Sequence, residues 1–331
     1  YKGTIFDQPN LYTNRLLALL GGRVGRREDE PDEWSISVAK AMQLVSEEIA
    51  THFLKHLHRR TGLDQVVLGG GFFMNSVYNG KVLDQTPFKQ AYISYAPSDV
   101  GNSIGAALYV AHCIHDVERE CSNNVSFIGP KFDHEEIIAT LNRRKIAYRE
   151  LANPEKTVAE LIASGDIVAH FYGRMEFGER ALGNRSILAD PRDPKIKDRI
   201  NRMIKYRESY RPFAPAVLAE KAHEYFEVKP EYSSRFMENV VPVKAEHRAS
   251  LPGITHVNGS GRLQTVEAEE NGRFYRIIKE VEALTGVAVV LNTSFNINGE
   301  PIVLSPDDAL TTFFNSGLLY LVMGDVLVEK S

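Results

Sequence analysis

Between Gly173 and Pro215 the chain reads GRMEFGERALGNRSILADPRDPKIKDRINRMIKYRESYRPFAP, and few folds accommodate such a run. From Arg174 to Arg211 it sets eight arginines and three lysines against six acids, a local excess of +5 in a chain of formal charge −4. Phe177, Leu182, Ile187, Leu188 and Phe213 are interleaved with the charges, which marks the stretch as partly buried rather than a solvated face. Partly buried guanidinium groups need anions. A dense set of fixed cations in an acidic protein therefore points to a small, highly anionic ligand such as phosphate or nucleotide. Gly173, Gly178 and Gly183 recur every five residues, a flexible or tightly turned backbone that presents Arg174, Arg180 and Arg185. A nucleic-acid patch is the competing reading, and a sequence pI of about 6.2 argues against a dedicated DNA or RNA binder.

The 331 residues allow two domains, and no apolar run approaches the length of a membrane span. The chain begins Tyr1-Lys2-Gly3, with neither a signal peptide nor an initiator Met, and so reads as a fragment. Its two cysteines, Cys113 and Cys121, do not form a disulfide framework or a zinc cluster, and a reducing cytoplasm is expected. Residues 1 to 32 read as irregular. From Glu33 to Arg60 a long helix is predicted, with Val38, Met42, Val45, Ile49, Phe53 and Leu57 as one buried stripe and Gly62 as its stop. His52 and His56 share a face of it, but without an acid partner they read as surface residues.

Val66-Val67-Leu68 is then a buried strand, Gly69-Gly70-Gly71 a turn without side chains, and Met74 onward a helix. This order lets backbone N–H groups approach a nucleotide, or simply packs helix on sheet, and the local pattern does not decide between them. A strand from Ala91 to Tyr95 leads to a loop whose one acid, Asp99, is a metal or hydroxyl ligand or, on local pattern, the N-cap of the next helix. The polar, aperiodic segment from Val117 to Phe132 holds the expected domain joint, drawn between residues 122 and 123.

Beyond it helix and strand alternate. Asp133 with Glu136 has capping-box spacing and starts a helix to about Arg144. Strands are expected near 146–149 and 167–171, helices at 154–163, 194–204, 220–225 and 273–284, and a loop-rich section over 229–265 with a flexible NGSGR at Asn258 to Arg262. Arg211 to Pro215 is read as a turn, and Lys205 and Arg207 fall on one side if Lys205-Tyr206-Arg207 is extended. A buried strand, Val287 to Leu291, delivers the polar Asn292, Ser294 and Asn296, the position at which α/β proteins commonly place ligands. Ser305-Pro306-Asp307-Asp308 starts a helix, and strands 318–322 and 326–329 end the chain.

GRMEFGERALGNRSILADPR, RESYRPFAP and LNTSFNINGEPIV with SPDDAL resemble the carboxy-terminal signature of the O-carbamoyltransferases of the nodulation and antibiotic-tailoring type, NodU-like. LGGGFFMNSVYNGKV and YAPSDVGNSIGAAL resemble adenosine- and metal-binding motifs in the second half of that family's first domain. The likeness runs from about Asp32 to the end. It implies an α/β fold: residues 1–122 as the C-terminal half of an actin/hexokinase-like domain whose first half is absent, and 123–331 as a YrdC-like domain with a twisted mixed sheet. The implied function is ATP-dependent O-carbamoyl transfer, in which carbamoyl phosphate and ATP form carbamoyl-AMP and the carbamoyl group passes to a hydroxyl of a secondary metabolite or sugar.

The resemblance implies catalytic roles for Lys205, Arg207, Arg180 and Arg185, with Lys205-Tyr206-Arg207 and Ser294-Phe295-Asn296 matching the KxR and SxN elements of YrdC-type proteins. Arg211, Asn292, Ser294 and Asn296 would hold the carbamoyl and phosphate groups, Gly70, Gly71 and Asn75 the adenosine of the first domain, and Asp99 a metal. The implied cofactors are ATP and a divalent metal, Mg with the nucleotide and Fe or similar in the first domain. The implied partners are carbamoyl phosphate, ATP and a small-molecule acceptor, with no membrane and no nucleic acid, and a homodimer or a partner chain supplying the missing half. Two departures stand out: nothing in residues 1 to 32 resembles the family's His-x-x-x-His site, and Glu179 stands where a Pro is expected. Threonylcarbamoyl transfer to tRNA and a non-autonomous nucleotide-binding subunit are the alternative readings.

Overall fold

The computed structural model describes residues 12–23, 31–120, 126–207 and 210–330, arranged as two compact units, 1–61 and 62–331. The expected joint between 122 and 123, and Cys121, lie outside the described residues. In the first unit the predicted long helix is present as Glu33–Thr61. Its stripe is not buried. Met42, Val45, Ile49, Phe53 and Leu57 are exposed, while Glu47 and Leu54 are buried. The periodicity of the sequence defines an apolar face but carries no information about what covers it.

The second unit opens with a two-stranded parallel sheet, β1 (Gln65–Leu68) and β2 (Gln90–Ile93). A 3₁₀ turn, Gly71–Met74, separates β1 from the short helix Ser76–Asn79, and Asp99–Gly101 is a second such turn before the helix Asn102–Tyr109.

A nine-stranded mixed sheet forms the rest. In chain order the strands are β3 (Arg149–Glu150), β4 (Val168–Phe171), β5 (Arg185–Ala189), β6 (Ala214–Leu218), β7 (Asn239–Pro242), β8 (Ser260–Val266), β9 (Val289–Ser294), β10 (Tyr320–Met323) and β11 (Val326–Glu329). Across the sheet the order is β3-β11-β10-β4-β5-β9-β6-β8-β7, with β4/β10 and β6/β8 parallel and the other pairs antiparallel. β4, β5 and β6 are buried at every residue and form the centre of one large core.

The helices begin where their caps predict. Asp133 and Glu136 form the capping box of His134–Arg143, Pro154 opens Pro154–Ala163, and Ser305 with Asp308 forms a second box at Pro306–Phe314. Gly286, in the left-handed region at φ 75°, ends Gly272–Thr285, which packs on Pro154–Ala163. Four strands depart from the sequence reading. β5 lies within the Arg-rich stretch and β6 begins at its end, and β7 and nearly all of β8 lie within the section expected to be loop. Ser260 of the supposedly flexible NGSGR is buried at the start of β8.

Candidate active site

The Arg-rich stretch leaves β4, turns, and returns as β5, and one acid organises the turn. Glu176 is buried, and its Oε1 accepts from the backbone N–H groups of Leu182 (2.8 Å), Asn184 (2.7 Å) and Arg185 (3.2 Å). The glycines allow the turn to pack. Gly183 sits at φ 121°, and a Cβ there would meet Cδ1 of Phe274 at 2.4 Å. Arg180 is thereby carried to the wall of a cavity of about 370 Å³.

Five segments build that cavity. Helix Ser76–Asn79 contributes Ser76 and Val77, the turn contributes Glu179, Arg180 and Ala181, and the chain entering β6 contributes Arg207, Arg211, Pro212 and Phe213. Met237, Val240, His256 and Arg262 come from the region around β7 and β8, and Asn292, Thr293 and Ser294 from the end of β9. Among the described residues, four arginines thus face one lining acid, Glu179, whose carboxylate accepts from Ser98 Oγ.

Burial pushes the Arg262 guanidinium down to about 9, with Arg180 and Arg207 adding repulsion, and its buried Nε has no hydrogen-bond partner. Arg180 is also lowered, first by burial, and its one hydrogen bond is a long 3.4 Å contact to the Met74 carbonyl. His256 is held neutral, its pKa lowered to about 4 by burial and by Arg262 and Lys197, and its Nε2 is buried without a partner. Such a cluster of desolvated cations suits an anionic ligand.

Arg207 is aimed by two contacts: its Nε donates to Asn201 Oδ1 at 2.8 Å, and its guanidinium lies 4.8 Å from the Phe213 ring centre. Lys205 takes a different course. The segment Asn201–Lys205 is a π-helical turn and Tyr206 is left-handed at φ 44°, so Lys205-Tyr206-Arg207 is not extended. Lys205 is buried beneath the end of β9, where its Nζ donates to the Ser294 carbonyl, Ser294 Oγ (3.2 Å), the Asn296 carbonyl (3.0 Å) and Asn296 Oδ1 (2.6 Å). Ser294 Oγ itself donates to Asn296 Oδ1 at 2.7 Å. Burial, reinforced by Arg207, pushes the Lys205 pKa down to about 7.

Of the residues predicted for this site, Arg180, Arg207, Arg211, Asn292 and Ser294 therefore line one cavity, and Lys205 and Asn296 meet Ser294 at its edge. Arg185 does not line it. Its guanidinium lies 3.6 Å from the Phe171 ring centre and donates to the carbonyls of Tyr172 (2.8 Å), Asn184 (3.0 Å) and Gly173 (3.3 Å), which makes it a strut of the turn. Arg262 and His256 were missed because their neighbourhood reads as loop; a lone arginine in an apolar, strand-forming GRLQTV was the available signal.

Gly70, Gly71, Asn75 and Asp99 do not line the cavity either. A Cβ at Gly70 or Gly71 would meet nothing within 4 Å, so close packing does not explain these glycines; Gly70, at φ 102°, is needed for its backbone conformation. Asn75 caps the helix Ser76–Asn79 by accepting from Tyr78 N–H at 3.2 Å. Asp99 starts a 3₁₀ turn and is exposed, and among the described residues no group of three His, Cys, Asp or Glu is placed to hold a metal. Also among the described residues, no helix is long and apolar enough to cross a membrane.

Two family models match the chain: carbamoyltransferase N-terminus over residues 12–108 and carbamoyltransferase C-terminus over residues 159–330. Nodulation protein NolO of Bradyrhizobium diazoefficiens is 40% identical, with 88% of this chain and 54% of the relative covered. Nodulation protein NolNO of Sinorhizobium fredii is 41% identical, over 88% of this chain and 44% of the relative. The 3'-hydroxymethylcephem-O-carbamoyltransferase of Amycolatopsis lactamdurans is 30% identical, over 80% and 48%. The chain thus spans about half the length of these relatives. A HypF structure from T. kodakarensis aligns with 54% of this chain and 21% of its own at 18% identity and a TM-score of 0.36, too low to argue from. On the two matched models and these relatives, the chain belongs to the carbamoyltransferase family.

Proposed function

We propose that this chain is the carbamoyl-adenylate-forming part of an ATP-dependent O-carbamoyltransferase whose acceptor is a hydroxyl of a secondary metabolite or sugar. The observation that carries the reading is the cavity wall of Arg180, Arg207, Arg211 and Arg262 against, among the described residues, a single acid. In this reading residues 62–122 are part of an actin/hexokinase-like half-domain and the nine-stranded sheet is YrdC-like. Water releases inorganic phosphate from carbamoyl phosphate and leaves carbamate. A carbamate oxygen then attacks the α-phosphorus of ATP, and pyrophosphate leaves. Finally the acceptor oxygen attacks the carbamoyl carbon, its proton is lost, and AMP departs.

Every step before the last gathers negative charge, and preorganised guanidinium groups offset it without reorganising. Lys205 holds the Ser294–Asn296 loop in place at the edge of the cavity. A resident metal does not fit the donor set, since among the described residues Asp99 has no companion ligands. In the whole protein Asp99 would be one carboxylate of a site completed from outside this chain.

The test is carbamoyl-phosphate-dependent pyrophosphate release from ATP, compared between the wild type and Arg180→Ala. Loss of one charged contact of roughly 1.5–3 kcal/mol predicts a drop of about 10- to 150-fold in kcat/KM. Unchanged turnover would show that the cavity is not the site.

A further inference from the structure

We propose that Asn292 is the residue that recognises the amide end of the ligand: its Oδ1 accepts a hydrogen bond from the carbamoyl N–H, and Gln264 is the positioning residue that fixes its orientation. The inference rests on the proposed function and deepens it, because phosphate recognition alone supplies no donor to the Asn292 Oδ1.

The argument begins with two backbone carbonyls. Gln264 is buried on β8, and its Nε2 donates to the Leu182 carbonyl at 2.9 Å. A carbonyl only accepts, so the amide of Gln264 must turn its oxygen the other way. That oxygen accepts from Asn292 Nδ2 at 2.8 Å, and the same Nδ2 donates to the Ala181 carbonyl at 3.2 Å. Turning either amide over would set oxygen against oxygen, so both have one orientation. Asn292 Oδ1 is what remains. It is buried without a partner, on a residue that is 0% exposed and lines the cavity.

A buried acceptor without a donor is uncommon and calls for an explanation. The other polar groups of this wall are mostly donors, suited to phosphate oxygens, and a deprotonated phosphate has no hydrogen to return. Carbamoyl phosphate and carbamoyl-AMP both carry an NH₂ beside the phosphate, which is such a donor. Adenine and ribose also carry donors, but Asn292 is tied to Ala181, next to Arg180, and so belongs to the anionic end of the site. A site built to satisfy an N–H discriminates against an isostere that lacks it.

The test uses phosphonoacetamide and 2-oxopropylphosphonate, stable analogues of carbamoyl phosphate that differ only by NH₂ against CH₃. Each is titrated calorimetrically into the wild type, Asn292→Leu and Gln264→Leu. The wild type should prefer the amide by about 10- to 100-fold, Asn292→Leu should bring the ratio close to one, and Gln264→Leu should lower it at least severalfold. A merely structural role would weaken both ligands alike and leave the ratio unchanged, which would overturn the inference. If Asn292→Leu does not fold, Gln264→Leu decides by the same ratio. No preference in the wild type, or an Asn292→Leu protein that keeps the ratio but loses ATP, would also overturn it. Pyrophosphate binding separates the two levels: if retained, only the amide assignment falls, and if neither pyrophosphate, ATP nor the amide binds, the proposed function falls with it.

Discussion

Replacing Arg262 with methionine should make the ligand-free protein more stable and its ligand weaker at once. The side chain is held at a pKa of about 9 by burial and by Arg180 and Arg207. Relative to a free guanidinium this is a penalty on the order of 5 kcal/mol for keeping the charge. Methionine retains the length and apolar stem but removes the charge. Part of the penalty is already relaxed by water in the open cavity, so the recovered stability should be roughly 1–3 kcal/mol, the range seen when buried charges give way to apolar groups. A gain of that size raises the melting temperature by a few degrees in a protein of this length. The opposite change is expected in binding. Loss of a charge-assisted contact of about 1.5–3 kcal/mol weakens pyrophosphate by about 10- to 150-fold. Thermal unfolding with and without pyrophosphate reads both effects in one experiment. A variant that melts lower than wild type while binding pyrophosphate unchanged would refute the reasoning, because Arg262 would then be a structural residue.

Two other perturbations probe the same electrostatics. The folded-state pKa of Lys205 lies near 7, below its unfolded value, so between about pH 7 and 10 the unfolded chain binds more protons and stability rises with pH. Denaturant unfolding at pH 7 and pH 9 should therefore show a positive difference for the wild type that shrinks in Lys205→Met; an identical difference in both proteins would contradict the assignment. Glu179→Gln removes an acid that lines the cavity while keeping an acceptor for Ser98 Oγ, so pyrophosphate should bind tighter by on the order of 1 kcal/mol, about fivefold. Unchanged or weaker binding in calorimetry would mean that Glu179 does not oppose the ligand.

What was legible in the sequence is what is decided locally. Asp133 with Glu136, Ser305 with Asp308, and Gly286 each satisfy orphan backbone groups within four residues of themselves, and the helices they bound are present. Strands β5 to β8 were not legible, for different reasons. β5 opens with Arg185 and Ser186, polar residues whose burial is matched by the turn: Glu176 and a turn carbonyl accept from Arg185, and Ser186 Oγ accepts from the Gly183 N–H. β6 contains Pro215, which is tolerated in an interior strand because its register partner in the named pairings is Leu291 of β9 alone. β8 begins inside NGSGR, whose composition reads as loop until β7 and β6 pair with it from either side. The π-helical turn that buries Lys205 while aiming Arg207 elsewhere likewise depends on Asn201 and Ser294, the latter 89 residues away.

The charge excess that first marked the chain is divided between two jobs, and the division follows from what each guanidinium meets. Arg192 pairs with Asp190 at 2.6 Å and Arg199 with Asp193 at 3.0 Å, neighbours in the same stretch that neutralise them at the surface. Arg174 reaches the Gly129 carbonyl at 3.1 Å, and the two terminal nitrogens of Arg185 donate to three turn carbonyls, although its buried Nε has no partner. The guanidinium ends of those side chains have acceptors supplied by the fold, and none of the four lines the cavity. Arg180 has one long contact, and the buried Nε of Arg262 has none. Desolvated donors without acceptors are costly in the free protein, and the cost is returned only when an anion enters. Recruiting Arg262 from a distant strand into the company of Arg180 and Arg207 raises that cost further, since like charges repel. A fold seeking stability alone would not assemble these residues, so their convergence on one cavity is best accounted for by a polyanionic ligand.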